Sequence, residues 1–274
     1  MKRHTSTRRF FPLPTFGGVM FIVFSLTIFL RGESLLLEGD TAWIIRTGEY
    51  IIETNTIPSH DLYSYSSPDL PWVVYQWGFE VLIAGAYKVA GFHGAVWVCS
   101  VIIASILLLF FKLLRMIGSS TMIAFPLTLL AGSVAGIDWD VRPGIVSQLL
   151  FIVTLFTLQE YKLTKDSRAL YKLPLIFIIW ANTHLGFVLG LVTIGFTILE
   201  RYLFFTSEKD FVSKTQERRE IVFLVSLLGI CLLATLLNPN TYQLIPYFAR
   251  VASLEQNDYI GELMSPNFHH ELIN

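Results

Sequence analysis

Two carboxylates, Glu38 and Asp40, stand on either side of Gly39, just after the first long apolar run of the chain. Carboxylates that close can share a proton or bind a metal ion. One of them can also take a proton from an acceptor hydroxyl as a general base. Asp40 has a plainer use as well. It stands where the N-cap of a helix over 41–53 belongs, where its oxygens would accept from the first free N–H groups. Position 43 is Trp rather than Glu or Gln, so no reciprocal capping box forms. Glu38 has no such structural duty.

Other groups able to hold a polar substrate are spread along the chain. They are His60 and Asp61; Glu80; Asp138, Asp140 and Arg142; Asn182 and His184; Asn238; and Glu262 and His269 in the tail. Each also has a structural reading. His60 is read as a surface histidine or a ligand. Arg142 either pairs with Asp138 or Asp140 or offers its planar guanidinium to a lipid phosphate. Asn182 and His184 either satisfy broken helix ends or line a hydrated cavity, because bare polar side chains in hydrocarbon are costly. Asn238 before Pro239 reads first as a helix stop.

The elements that must position these residues are apolar helices. The chain of 274 residues is 53% hydrophobic and 15% charged, with mean hydropathy +0.57. A soluble domain carries about 25% charged residues, so the pattern is that of an all-α, multi-span membrane protein. Net charge is −1, which gives no global attraction to nucleic acid. Cys99 and Cys231 lie in apolar runs and read as small buried hydrophobes. The run 16–30 follows Lys2, Arg3, Arg8 and Arg9 and has no small-residue cleavage site after it, so it reads as an uncleaved first span. Six further segments read as embedded: 94–114, 119–136, 144–161, 173–183, 185–205 and 221–237. Most approach the ~20 residues that cross a bilayer, and 173–183 is short enough to be re-entrant.

Basic residues orient the bundle. Fifteen of the twenty Lys and Arg lie before the first span, after 94–114, after 144–161, or around 201–219. The positive-inside rule places all four groups, and the N-terminus, in the cytoplasm. That requires 173–205 to enter and return as a hairpin. The opposite face then receives the polar residues named above, and it is the face on which separate loops can converge into a site.

The loop 31–76 is the longest on that outer face before the tail. Within it, Ile44, Thr47 and Ile51 form one helical stripe, with Trp43 and Tyr50 beside it and Arg46, Glu49 and Glu53 opposite. The stripe predicts a short amphipathic helix at the membrane interface, not a span. Residues 56–71 read as a Pro- and Ser-rich linker, and 77–90 as a second helix whose aromatics anchor at the interface or stack on a sugar. Pro143 belongs in the first turn of the helix it precedes.

Several short motifs carry a resemblance. They are Glu38-Gly39-Asp40-Thr41-Ala42-Trp43 with Arg46-Thr47-Gly48-Glu49-Tyr50-Ile51, Ile57-Pro58 with His60-Asp61, Trp77 with Glu80, Arg142-Pro143, Trp180-Ala181-Asn182-Thr183-His184, and Leu237-Asn238-Pro239. Together they resemble the bacterial members of the type C (GT-C) membrane glycosyltransferase superfamily, which includes protein O-mannosyltransferases and the lipid A aminoarabinose transferase. The resemblance implies inverting transfer of a sugar from a polyprenyl-phosphate donor to a lipid, glycan or protein acceptor, outside the plasma (bacterial inner) membrane. It implies that Asp40 is catalytic with Glu38 as its partner, and that Arg142 meets the donor phosphate. Asp138, Asp140, His60, Asp61, Glu80, Asn182 and His184 are the expected substrate-binding residues. Some members bind a divalent metal at the acidic motif and others need none, so a metal at Glu38 and Asp40 stays open. Members generally have more spans, so the single transmembrane domain 1–274 is expected to be the N-terminal part of a longer protein. The alternative is a non-catalytic membrane protein, a transporter or a degenerate scaffold with the same fold. A transporter would place charges near the bilayer midplane and show paired repeats, neither of which is evident.

Overall fold

The computed structural model describes residues 15–37, 39–65, 71–207, 211–244, 246, 247 and 249. Glu38, Glu262, His269, Lys209 and the basic residues Lys2, Arg3, Arg8 and Arg9 lie outside the described residues. Among those described, the chain is helical with no strand. The helices are α1 (Phe16–Leu30), α2 (Asp40–Thr54), α3 (Trp77–Met116), α4 (Thr121–Ala135), α5 (Gly144–Thr164), α6 (Leu173–Ala181), α7 (Phe187–Ser207) and α8 (Phe211–Ala234).

Among the described residues, four segments are long and apolar enough to cross a membrane: Trp77–Met116, Thr121–Asp138, Gly144–Thr164 and Phe187–Thr206. They mark a membrane protein by length and composition. Helix α1 is a shorter apolar helix of 15 residues, and α6 has only 9. Whole faces of α4 and α7 leave large apolar side chains outside the protein, among them Met122, Leu130, Val134, Leu189 and Phe196. Outward apolar faces of that kind are what a hydrocarbon solvent requires.

Helix α3 is central and packs against α1, α2, α4 and α5. Its 40 residues are interrupted at Ala90 (φ −142°, ψ 23°) and Gly91 (φ 59°, ψ −150°). The interruption separates 77–90 from the span that follows, where the sequence predicts two helices. On the first half of α3 lies α2, with Ile44, Thr47 and Ile51 buried in the contact. The amphipathic stripe is therefore spent on protein, with Arg46 and Glu53 exposed on the other side. The two helices meet so closely that a Cβ on Gly48 would lie 2.1 Å from the Glu80 carbonyl oxygen. One core joins α2, α3 and the start of α5 through Ile44, Phe79, Ile83, Cys99, Ile103 and Ile145. A second joins α5 to α8 through Phe177, Trp180, Ile194, Leu224 and Cys231. Both cysteines are free and buried, as expected.

Between α6 and α7 the helix breaks at 182–186, and Gly190 of α7 packs against α6. A Cβ there would lie 2.6 Å from the Trp180 ring. Asn182 fastens this break to the head of α3 and to the segment that follows α8. Its Oδ1 accepts from Trp77 Nε1 at 2.8 Å and from Asn238 Nδ2 at 3.1 Å. Its Nδ2 donates to the carbonyls of Ile178 at 2.8 Å and Leu237 at 2.9 Å. Its carbonyl accepts from the Gly78 N–H at 2.9 Å. Asn238, expected first as a helix stop, also donates to the Ala181 carbonyl at 2.7 Å.

At the far end of α5, about 30 Å from its start at 1.5 Å per residue, ion pairs join α5, α7 and α8. These are Lys162–Glu200, Lys165–Glu220, and Arg201 with Glu217 and Glu220.

The φ and ψ of Gly91 belong to a region that is essentially glycine-only, and occupying it with a side chain costs about 1–3 kcal/mol. Beyond the local backbone, no atom of the described residues lies within 4 Å of a Cβ built at Gly91 or at Gly85, so backbone conformation separates the two positions. Gly91→Ala is expected to destabilise the chain by about 1–3 kcal/mol. Gly85→Ala, inside a regular helix, is expected to stabilise it by about 0.5–1 kcal/mol. Unfolding in detergent micelles measures both, and equal stabilities would contradict a fixed break at Gly91.

Candidate functional site

A cavity of about 750 Å³ opens where the starts of α2, α3 and α5 meet the α6–α7 turn. Its lining includes Asp40, Trp43, Tyr75, Gln76, Asp138, Asp140, Arg142 and His184. Residues from three separate loops therefore line one cavity.

Asp40 is the first residue of α2, and the N-cap position belongs to Gly39, with no side-chain cap. The expected capping role is thus replaced by two other bonds. Asp40 Oδ1 accepts from Trp43 Nε1 at 3.0 Å, one helical turn on. Asp40 Oδ2 accepts from Arg142 Nη2 in an ion pair between residues 102 apart in sequence. Arg142 also faces Asp140, with Nε 3.8 Å from Oδ2. Its expected pairing with Asp140 is present, and the pairing with Asp40 was not foreseen. Both partners of the Asp40–Arg142 pair are half-buried, at 39% and 26% side-chain exposure.

The loop carrying Asp138, Asp140 and Arg142 is held at both ends. The Val141 N–H donates to the Leu35 carbonyl at 3.0 Å, and Val141 itself is fully buried. Trp139 Nε1 donates to Gln148 Oε1 of α5 at 3.0 Å. Pro143 takes the N-cap place immediately before α5 rather than a place in its first turn.

His184 enters the cavity from the α6–α7 turn. Its Nδ1 lies 2.7 Å from Ser147 Oγ and accepts from the Gly186 N–H at 3.1 Å. Ser147 Oγ in turn accepts from Trp180 Nε1 at 2.7 Å. Burial pushes His184 down to about 4, so the imidazole is neutral at physiological pH.

Gln76 reaches the cavity from the residue before α3. Its Nε2 donates to Glu80 Oε1 at 3.2 Å. Glu80, expected to touch substrate, is instead fully buried behind Gln76, and its Oε2 has no hydrogen-bond partner among the described residues. Tyr75 lines the same wall, and burial keeps its phenol protonated well above the ordinary range.

The structure does not bring His60 and Asp61 to this cavity. His60 Nδ1 contacts Ser59 Oγ at 2.9 Å, and His60 bridges to Pro71. Asp61 accepts from the N–H groups of Tyr63 at 2.8 Å and Ser64 at 3.1 Å. Together with the Ser64 side chain these bonds hold the Asp61 carboxyl below its ordinary range. Asn182 lies behind the lining as the fastening described above. Gln76, Tyr75 and Ser147 escaped the sequence reading. A Gln–Glu pair four residues apart on an apolar helix was the available signal for Gln76. Among the described residues, no three His, Cys, Asp or Glu side chains gather as a metal site. Glu38, the expected partner of Asp40 there, lies outside them.

The chain matches no protein-family profile, no curated protein and no solved structure.

The His184 environment sets a pH dependence with a definite sign. The folded value is about 4 against an ordinary 6.5, so between these the unfolded chain binds more protons. Stability is full above about 6.5 and falls as pH drops toward about 4. Thermal unfolding at pH 7.5 and pH 5 should therefore show a larger loss for the wild-type chain than for His184→Gln. Equal losses would contradict a buried, neutral His184.

Proposed function

We propose that this cavity transfers a sugar from a polyprenyl-phosphate donor to an acceptor hydroxyl at the extracytoplasmic face of a bacterial inner membrane. The observation that carries the reading is the meeting of Asp40 with Arg142 in a cavity whose volume suits a small ligand, about 300–1,000 Å³. Arg142 has the shape and charge to hold the donor phosphate. When it does so, it gives up part of its hold on Asp40. The freed Asp40 oxygen then accepts the proton of the acceptor hydroxyl. The hydroxyl oxygen attacks the anomeric carbon from the face opposite the phosphate. The bond from that carbon to the phosphate oxygen breaks, and its electron pair leaves with polyprenyl phosphate, where Arg142 offsets the charge. The anomeric centre inverts.

The membrane course belongs to the same proposal. The seven apolar segments are embedded, α6 and α7 enter and return as a hairpin, and the N-terminus and the start of α8 are cytoplasmic. Two features support it: the break at 182–186, and the separation of the cavity from the Lys- and Arg-rich ion pairs along the length of α5.

Asp40→Asn tests the chemistry. The amide oxygen still accepts from Trp43, and a half-exposed ion pair contributes only about 0–1 kcal/mol, so stability should stay near normal. Transfer of a labelled sugar from polyprenyl phosphate, in membranes containing the chain, should fall by about 10²–10⁴. Wild-type transfer by Asp40→Asn would remove the base from the mechanism. No transfer by the wild-type chain would favour a non-catalytic scaffold.

Tyr65→Cys and Arg218→Cys test the topology. A membrane-impermeant thiol reagent added to intact cells should label the first and not the second. Labelling of Arg218→Cys from outside would overturn both the hairpin and the placement of the cavity.

A further inference from the structure

Nδ1 of His184 is held by two donors, and that fixes the ring. The Gly186 backbone N–H can only donate, so the Nδ1 it meets at 3.1 Å carries no proton. The indole Nε1–H of Trp180 can also only donate, and it fills one acceptor site on Ser147 Oγ at 2.7 Å. The Ser147 hydroxyl hydrogen is then free to turn to His184 Nδ1, at 2.7 Å. The relay runs in one direction: Trp180 N–H to Ser147 O–H to His184 Nδ1. The remaining nitrogen, Nε2, must carry the ring proton. It has no partner among the described residues, and the ring lines the cavity.

The close packing shows that this arrangement is built rather than incidental. A Cβ on Gly186 would lie 2.3 Å from Ser147 Oγ and 3.0 Å from His184 Nδ1, so only glycine lets the turn approach. Ser147 and Trp180 are both buried, Trp180 completely, so water does not compete for these bonds. Protonating Nδ1 would reverse the Ser147 bond and set the new hydrogen against the Gly186 N–H, which has no other role than donor. The low proton affinity of His184 follows from the same burial.

We propose that Ser147, Trp180 and Gly186 are positioning residues that lock His184 as a neutral Nε2–H donor, and that this donor grips an acceptor oxygen of the polyprenyl-phosphate sugar. The ligand half rests on the transferase reading. The tautomer half does not. A histidine held this way cannot act as a base at either nitrogen, since one is protonated and the other is occupied. Its task is orientation, and the proton work stays with Asp40. The acceptor oxygen belongs either to the phosphate or to a sugar hydroxyl, and both offer the same lone-pair chemistry.

The test is nitrogen NMR of the full chain, labelled with ¹⁵N-histidine, in lipid nanodiscs at neutral pH. The His184 signal is assigned by its loss in His184→Gln. The expected spectrum shows one neutral tautomer, protonated at Nε2. Ser147→Thr should keep that single tautomer, and Ser147→Ala should mix the two. A wild-type ring protonated at Nδ1, or at both nitrogens, overturns the lock whatever the variants do. Polyprenyl phosphate, bare or carrying a hexose or a pentose, is then added. A shift of the Nε2–H signal with the bare lipid phosphate assigns the contact to phosphate. A shift only with the sugar-bearing lipid assigns it to the sugar. Bound lipid of either kind with no shift overturns the contact. Failure of every lipid to bind overturns the transferase reading and the ligand half with it, while the tautomer result stands or falls by itself.

Discussion

The structure depends on a buried amide. Asn182 sits among apolar helices, where an unpaired polar group costs about 1–3 kcal/mol or more. That cost makes its partners obligatory. Trp77 and Gly78 at the head of α3, Leu237 and Asn238 past the end of α8, and Ile178 within α6 all bond to it. The fastening fixes where α3 begins, and therefore where Gln76 enters the cavity. It also fixes the break between α6 and α7, two residues before His184. In a protein whose outward faces are apolar, polar bonds of this kind specify which helix ends meet. Apolar packing alone does not distinguish one end from another.

Charge is divided between the two ends of the bundle. At one end Lys and Arg of α5 and α7 pair with Glu of α7 and α8 and tie the helices together. At the other, Arg142 pairs with Asp40 and faces Asp140 in a cavity that Asp138 also lines. The Asp40–Arg142 pair is half-exposed. Pairs in that setting contribute little to stability, so Arg142 can exchange Asp40 for a stronger bidentate partner at small cost. In the proposed reaction that exchange releases the carboxylate when a phosphate arrives and not before. His184 complements it as a donor without charge. The neutral ring adds a hydrogen bond to the site and leaves the balance between Arg142 and the aspartates untouched.

Much of this was legible in the sequence, and the reasons differ by element. Apolar runs gave the helices because bilayer thickness and helix rise leave few alternatives. The separation of 77–90 from the next span was readable from the orientation that span needs, and the break at 182–186 from Asn182, His184 and Gly186, residues that helices and hydrocarbon tolerate badly. Asp40, Asp138, Asp140, Arg142 and His184 were singled out because polar side chains beside apolar runs need a reason to be there, and the structure gathers them. What a linear reading could not supply was pairing across space. Asp40 looked like a cap because its neighbours in sequence were visible and Arg142, 102 residues on, was not. Glu80 looked like a ligand for the same reason. Its burial comes from α2 lying over it, an outcome of packing that depends on Gly48. The amphipathic stripe of α2 was read correctly as a stripe, but its partner is α3.

The most direct measurement of the central claim is photo-crosslinking of the full chain in nanodiscs with a polyprenyl-phosphate sugar that carries a photoreactive group on the sugar ring. If the cavity is the donor site, the label falls on its lining, at Tyr75, Gln76, Ile137 or Trp43, and excess unmodified lipid-linked sugar suppresses it. Labelling confined to the outward apolar faces of α4 and α7, or labelling that the unmodified compound does not suppress, would contradict the assignment of this cavity to a lipid-linked sugar.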